Sequence, residues 1–199
     1  MAIGLYLGFF LGAVEGILAL NVQLLARGML VGGIAGLVGA GTSLFGLYIS
    51  WIAWLLHLQG LYTGLACADG LYMNQRCLQT NNAMDFDQAE RLLINRSVQA
   101  AVFESDARRL LTQGLPYDRC QVGIVTRMPK AAPLEDLYPG PDEKMPSYIR
   151  TQIDLVLSHG FAVLNAADEA VADLAQYSDG GVIFYAEDEA EPRLSAHRA

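Results

Sequence analysis

Two side chains in the long apolar N-terminal stretch carry functional groups suited to chemistry, Glu15 and His57. From residue 1 to residue 68 the only formally charged residues are Glu15 and Arg27. A carboxylate in such an environment is a candidate functional site by default. Two structural alternatives stay open for Glu15: a protonated carboxyl bonded to a neighbouring helix, or an ion pair with Arg27. His57 could ligate a pigment or haem metal, or it could be an interfacial histidine with a satisfied hydrogen bond.

These groups must be positioned by the apolar stretch itself, which is long enough to cross a bilayer twice. A span of about 20 apolar residues crosses the hydrocarbon core. The sequence predicts two transmembrane helices, at about 2–25 and 30–57, within a membrane region 1–58. Trp51 and Trp54 suit the headgroup level at the end of the second helix. We therefore expect an inner (cytoplasmic) membrane location, with the rest of the chain on the cytoplasmic side.

Glycines recur at every fourth position of both predicted helices. In a soluble helix each interior glycine costs about 0.8–1 kcal/mol relative to alanine, whereas in lipid small residues let helices approach closely. The spacing predicts a packing stripe that contacts the second span or other transmembrane subunits. Its residues are Gly4, Gly8, Gly12, Gly16, Gly28, Gly32 and Gly36.

Composition limits the partners and the redox chemistry. The formal net charge of -8 argues against nucleic acid as a partner. The three cysteines, Cys67, Cys77 and Cys120, form no C-x-x-C pair, which predicts reduced thiols and no metal site. The N-terminus lacks the basic region of a cleavable signal peptide. No cofactor is predicted.

Residues 60–199 alternate between short apolar runs and helical patterns, which predicts an α/β domain with a parallel sheet buried on both faces. Asp85 and Ser105 are expected N-caps, Gly114 and Gly160 are expected helix stops, and the proline-rich stretch 128–146 is expected to be a loop. The predicted strands are 97–104, 120–126, 160–166 and 180–186, and the predicted helices are 84–95, 105–114, 146–158 and 168–176.

Three segments of this part resemble the Mur-ligase-type central domain of cyanophycin synthetases. They read GLACADGLYMNQRC (64–77), AAVFESDARRLLTQGLPYDRCQVGIVTRM (100–128) and GFAVLNAADEAV (160–171). The resemblance implies a P-loop-type parallel sheet, here degenerate. It also implies a domain that binds ATP and activates a carboxylate as an acyl phosphate for amide-bond formation.

The resemblance also indicates where the nucleotide chemistry would lie and what is missing. The family's phosphate loop, T-G-T-N-G-K-T-T, falls without gaps on AGTSLFGL (40–47). Gly41 and Thr42 match it, but Phe45 replaces the lysine and Gly46 the metal-binding threonine. Glu104 matches the glutamate of E-T-A-R-G-G, although the glycine pair is lost. Asp168 matches the second aspartate of N-A-D-D. The four matching residues define a vestigial nucleotide cleft, at which we expect ATP not to bind.

Two functional hypotheses follow. The first is a non-catalytic membrane-anchored accessory or structural subunit, or an assembly factor, that docks into a larger membrane complex through its glycine-striped helices. The second is an ATP-dependent amide ligase domain, or a fragment of one, that needs further segments to supply the missing lysine. The loss of the phosphate-loop lysine and threonine favours the first, a pseudoenzyme.

Overall fold

The computed structural model describes residues 44–137, 140–188 and 191–194. They fall into two compact units, of which the first ends at Ser105 and the second begins at Asp106. The predicted first span, the glycine stripe, Glu15, Gly41 and Thr42 lie outside the described residues.

The first unit contains a mixed four-stranded sheet in the order β3-β2-β1-β4. β1 runs parallel to β4 and antiparallel to β2, and β2 and β3 form a hairpin. All five residues of β1 are buried, as expected for a central strand covered on both faces. The elements are α1 (Leu44–Leu58), β1 (Thr63–Cys67), β2 (Gly70–Met73), β3 (Arg76–Gln79), α2 (Phe86–Leu93) and β4 (Ala100–Phe103).

Two small apolar clusters hold this unit together. Leu92 of α2 is fully buried, and its methyl groups lie 3.1 Å from where a Cβ on Gly64 would stand. A larger residue at position 64 would therefore push α2 away from β1. From α1, Ala53 packs with Leu65 and Cys67 of β1 in the second cluster.

The second unit contains a three-stranded parallel sheet in the order β5-β6-β7. Ile149, Ile153 and Leu164 belong to the cluster that packs one face of this sheet against the helices. The elements are α3 (Ala107–Gln113), β5 (Cys120–Val125), α4 (Met145–Ile149), α5 (Thr151–Asp154), β6 (Val156–Asn165), α6 (Glu169–Ala172) and β7 (Gly181–Tyr185), with 3-10 turns at Ala132–Leu134, Asp142–Lys144 and Asp173–Tyr177.

The four predicted strands correspond to β4, β5, β6 and β7, so the strand–helix alternation is confirmed. The predicted parallel sheet is confirmed in part, because β5, β6 and β7 form one parallel sheet while β4 belongs to the mixed sheet of the first unit. The helix predicted at 146–158 is wrong at its end, because Val156 is fully buried and pairs with Cys120 as the start of β6. Gly160 lies inside β6 and is not a helix stop. The N-cap predicted at Ser105 is Asp106, whose side chain accepts the Arg109 N–H at 2.8 Å.

Other boundary predictions are confirmed. Asp85 is the N-cap of α2, and Gly114 ends α3 with a φ of 74°, a conformation that glycine adopts without a steric penalty. The expectation of a sheet buried on both faces is wrong for one face of the second unit. There Val122, Ile124 and Phe161 are 52%, 41% and 43% exposed, because no described helix of this unit packs against them.

No helix in the described part of the chain is both long enough and apolar enough to cross a membrane. The described portion of the predicted second span is α1, which has 15 residues. Its Trp51 and Trp54 rings meet edge to face at 5.2 Å, and Ala53 between them is buried against β1. The apolar sequence of this segment is therefore explained in part by packing on the sheet.

Candidate functional site

In the described part of the first unit a helix, α1, precedes the central strand β1, and β4 runs parallel beside β1. Positions 45 and 46 fall in the first turn of α1. A helix N-terminus presents free backbone N–H groups and the positive end of its dipole, which is where phosphates bind in such folds. In the sequence, Phe45 and Gly46 replace the lysine and threonine of the family loop.

Glu104 lies at the carboxyl edge of the first sheet, directly after β4. Its Oε2 accepts the N–H of Ala68 at 2.7 Å, and its own N–H donates to the carbonyl of Ala66 at 2.9 Å. Glu104 therefore binds the backbone on both sides of Cys67, the last residue of β1. In open α/β sheets this edge is where ligands bind. One carboxylate oxygen is used structurally, and the geometry leaves the other for a second role.

Cys67 ends β1 at the same edge, but its thiol is not set up as a nucleophile. Burial raises the pKa of the Cys67 thiol, and the nearby carboxylates of Glu104 and Asp69 add to that rise. A reactive cysteine needs a lowered pKa, since the thiolate is the attacking species. None of the three cysteines forms a disulfide in the structure.

Asp168 lies at the carboxyl edge of the sheet in the second unit. Its Oδ2 accepts the N–H of Met128 at 2.8 Å, and its Oδ1 accepts the N–H of Val171 at 3.2 Å, which caps α6. Asn165 also makes two hydrogen bonds: its side-chain amide donates to the Thr126 carbonyl at 2.9 Å and accepts the N–H of Ala167. This matched segment of the family motif holds loops in place.

Two tyrosines of the second unit titrate far above the ordinary pKa of 10. Burial raises the pKa of Tyr117 to about 12, and burial together with the charges of Asp168 and Glu187 raises that of Tyr185 to about 12. In the unfolded chain both would ionise near pH 10, so between these values the folded state holds protons that the unfolded state has lost.

Raising the pH is therefore expected to destabilise the second unit. This contribution to stability is fully present below pH 10 and is lost as the pH rises through about 12. Urea denaturation measured across that window should show a fall in midpoint that is shallower in a Tyr117→Phe/Tyr185→Phe variant. The exposed Tyr148 gives the control substitution, Tyr148→Phe. A double variant with the native slope would contradict the assignment.

The described residues give no second site around His57 or for a metal ion. His57 is half-buried on α1, and no cluster of three or more histidine, cysteine, aspartate or glutamate side chains suited to a metal occurs among the described residues. Sequence reasoning did not find the β2–β3 hairpin. Its signal is weak, because the turn reads Asn-Gln, whereas Asn-Gly would mark a two-residue hairpin turn.

Comparison with known proteins connects these observations to one group of enzymes. The chain is 28% identical over 149 residues to a cyanophycin synthetase of Synechocystis sp. and 31% identical over 129 residues to one of Crocosphaera subtropica. A third, from Geminocystis herdmanii, is 25% identical over 150 residues. The chain contains a cyanophycin synthetase-like domain.

These similarities cover 63–73% of this chain but only 14–17% of each relative. The chain therefore spans about a sixth of the length of the curated relatives that it matches. No family model matches it. The expected resemblance to a ligase domain is confirmed at this level, whereas the predicted membrane region finds no support in the comparisons.

Proposed function

We propose that this chain is a domain of an ATP-dependent amide ligase of the cyanophycin synthetase type. The observation that carries the proposal is its similarity to three cyanophycin synthetases. The order of α1, β1 and β4, with Glu104 at the carboxyl edge, supports the same role. This reverses the preference for a non-catalytic subunit that the sequence alone favours.

In this proposal the backbone at the start of α1 binds the phosphates. The cation that the family takes from its loop lysine comes from segments beyond the described residues, because Phe45 occupies that position. Carboxylate oxygens are the ligands that Mg²⁺ prefers, and the second oxygen of Glu104 fits this requirement. A bound Mg²⁺ would neutralise phosphate charge. The Ala68 N–H holds the Glu104 carboxylate at the carboxyl edge of the sheet.

The test is a calorimetric titration of the full chain with ATP, with and without Mg²⁺. We expect weak, Mg²⁺-dependent binding that falls by about tenfold in Glu104→Gln, since a bond to a charged group contributes roughly 1.5–3 kcal/mol. Glu90→Gln, on the exposed side of α2, is the matched control and should bind like the native chain. Binding that is absent at millimolar ATP, or equal in both variants, would contradict the ligase proposal.

A second candidate is a non-catalytic module that docks on a membrane complex through the glycine-rich segment 1–43. One observation favours its non-catalytic part: both oxygens of Asp168 accept backbone N–H groups, so this matched residue is used for structure. Purification in a gentle detergent would test this candidate. Defined transmembrane subunits that co-purify would support it, and a chain that runs alone as a monomer would contradict it.

A further inference from the structure

A cavity of about 470 Å³ lies at the β2–β3 hairpin, at the end of the first sheet opposite to Glu104. Its volume is within the range of small-ligand sites, roughly 300–1,000 Å³. The hairpin forms most of the wall, and the residue that precedes β1 forms the rest. The lining residues are Tyr62, Met73, Asn74, Gln75, Arg76 and Leu78.

The lining is positively charged. Arg76 is exposed, forms no ion pair with the described residues, and is the one charged residue in the wall of the cavity. A guanidinium binds a carboxylate through two parallel N–H···O bonds. Tyr62 is 37% exposed and adds an aromatic surface beside it. The site is therefore suited to an anionic ligand.

Asn74 adds a hydrogen-bond acceptor that needs a donor. It adopts a φ of 51°, and its N–H donates to the Thr63 carbonyl at 2.6 Å, which fixes the turn. Its Oδ1 is buried and receives no hydrogen bond from the described residues. A buried acceptor without a partner is costly. Rotation of this amide toward a ligand N–H in the cavity would relieve that cost.

Among the described residues, no strand pairs with the outer edge of the strand beside the cavity. β3 is at the edge of the sheet, and Arg76, Cys77 and Leu78 on it are exposed. An edge strand presents unpaired backbone groups that pair with an added strand. A bulge in β3 interrupts its pairing with β2 between Cys77 and Gln79, and Arg76 and Leu78, on either side of Cys77, both line the cavity. In strand addition, backbone bonds give affinity and alternate side chains give specificity.

We propose that the edge of β3 and this cavity bind an extended peptide that carries a carboxylate side chain. The peptide adds a strand to β3, its carboxylate pairs with Arg76, and one of its N–H groups bonds to Asn74 Oδ1. Leu78 and Tyr62 pack against its apolar neighbours. The site is at the far end of the sheet from Glu104 and does not depend on the proposed ligase role.

The test uses the full chain and two fluorescein-labelled peptides with amidated C-termini, Val-Asp-Val and Val-Asn-Val, which differ in one carboxylate. In fluorescence anisotropy without nucleotide, we expect the Asp peptide to bind about tenfold more tightly or better. Arg76→Gln should weaken its binding by about tenfold to a hundredfold, in line with a lost charged hydrogen-bond pair. Arg119→Gln removes the same charge from an exposed residue that does not line the cavity and should have no effect.

Two further measurements separate this proposal from a general anion site. In Asn74→Gly, glycine accepts the positive φ of this position, and the side-chain acceptor is removed. We expect the binding of both peptides to weaken several-fold, while circular dichroism shows a native fold. Inorganic phosphate should not displace the Asp peptide at comparable concentrations. The proposal is overturned if neither peptide binds, if both bind equally, if Arg76→Gln binds like the native chain, or if phosphate competes as well as peptide.

Discussion

Replacing Leu164 by alanine is expected to destabilise the second unit by about 2–5 kcal/mol, the range for deleting a fully buried leucine side chain. Leu164 is 0% exposed on β6, the central strand, and belongs to the main cluster of that unit. β5 and β7 flank β6, and helices cover the face on which Leu164 lies. The space left by the missing leucine side chain therefore cannot close unless the sheet moves.

Amide hydrogen exchange of β6 peptides measures this loss in the unit where it occurs. Protection should fall by roughly thirtyfold to several thousandfold, since each 1.4 kcal/mol is a factor of about ten. Phe161→Ala on the same strand is the control, because that side chain is 43% exposed and its loss leaves a smaller cavity. Equal loss of protection in both variants would show that burial on this face does not determine the stability of the strand.

The strands of the second unit could be predicted because each is an apolar run flanked by helical patterns. Its helix boundaries could be predicted only in part: Gly114 ends α3 as expected, whereas the end of the helix predicted at 146–158 is wrong. The stretch before β6 has helical periodicity, yet Val156 pairs with Cys120 and joins the sheet. Register is set by a partner strand that is distant in sequence, and local pattern carries no information about it. The same limit explains why Gly160 was interpreted as a helix stop.

The interpretation of residues 44–58 shows a second limit of sequence reasoning. Hydropathy does not distinguish a helix in lipid from one packed in a protein, since both are apolar. The structure places Ala53 of this helix against Leu65 and Cys67. The family resemblance assigned Glu104 and Asp168 to a nucleotide cleft, which stays a prediction. It did not predict that backbone N–H groups would bind to both, because those bonds depend on how loops close.

The cavity at the hairpin shows a third limit. Tyr62, Asn74 and Arg76 are separated by up to 14 positions in the sequence and match no motif that suggests a shared site. They meet because β2 pairs antiparallel with β1, which brings the turn beside the residue that precedes β1. A site formed by one turn and one strand end has no characteristic spacing of residues by which the sequence could reveal it.

Replacing Gly160 by alanine is the second substitution with a large expected effect. β5 and β6 approach so closely at the irregular start of their pairing that a Cβ on Gly160 would overlap the carbonyl oxygen of Gln121 and lie 3.1 Å from that of Leu157. Both obstacles are backbone atoms, so side-chain rotation cannot relieve the overlap. Overpacking costs typically about 1–3 kcal/mol, and a backbone clash belongs at the upper end of that range.

Gly181→Ala is the matched control on the neighbouring strand. Its added Cβ would meet only the Phe161 ring closely, at 2.7 Å and 2.8 Å, and that ring is partly exposed and able to turn away. Urea denaturation followed by circular dichroism should therefore give a clearly lower midpoint for Gly160→Ala than for Gly181→Ala. If the two variants unfold together, the β5 and β6 backbones separate easily at this point, and Gly160 is then not required by the close approach of the strands.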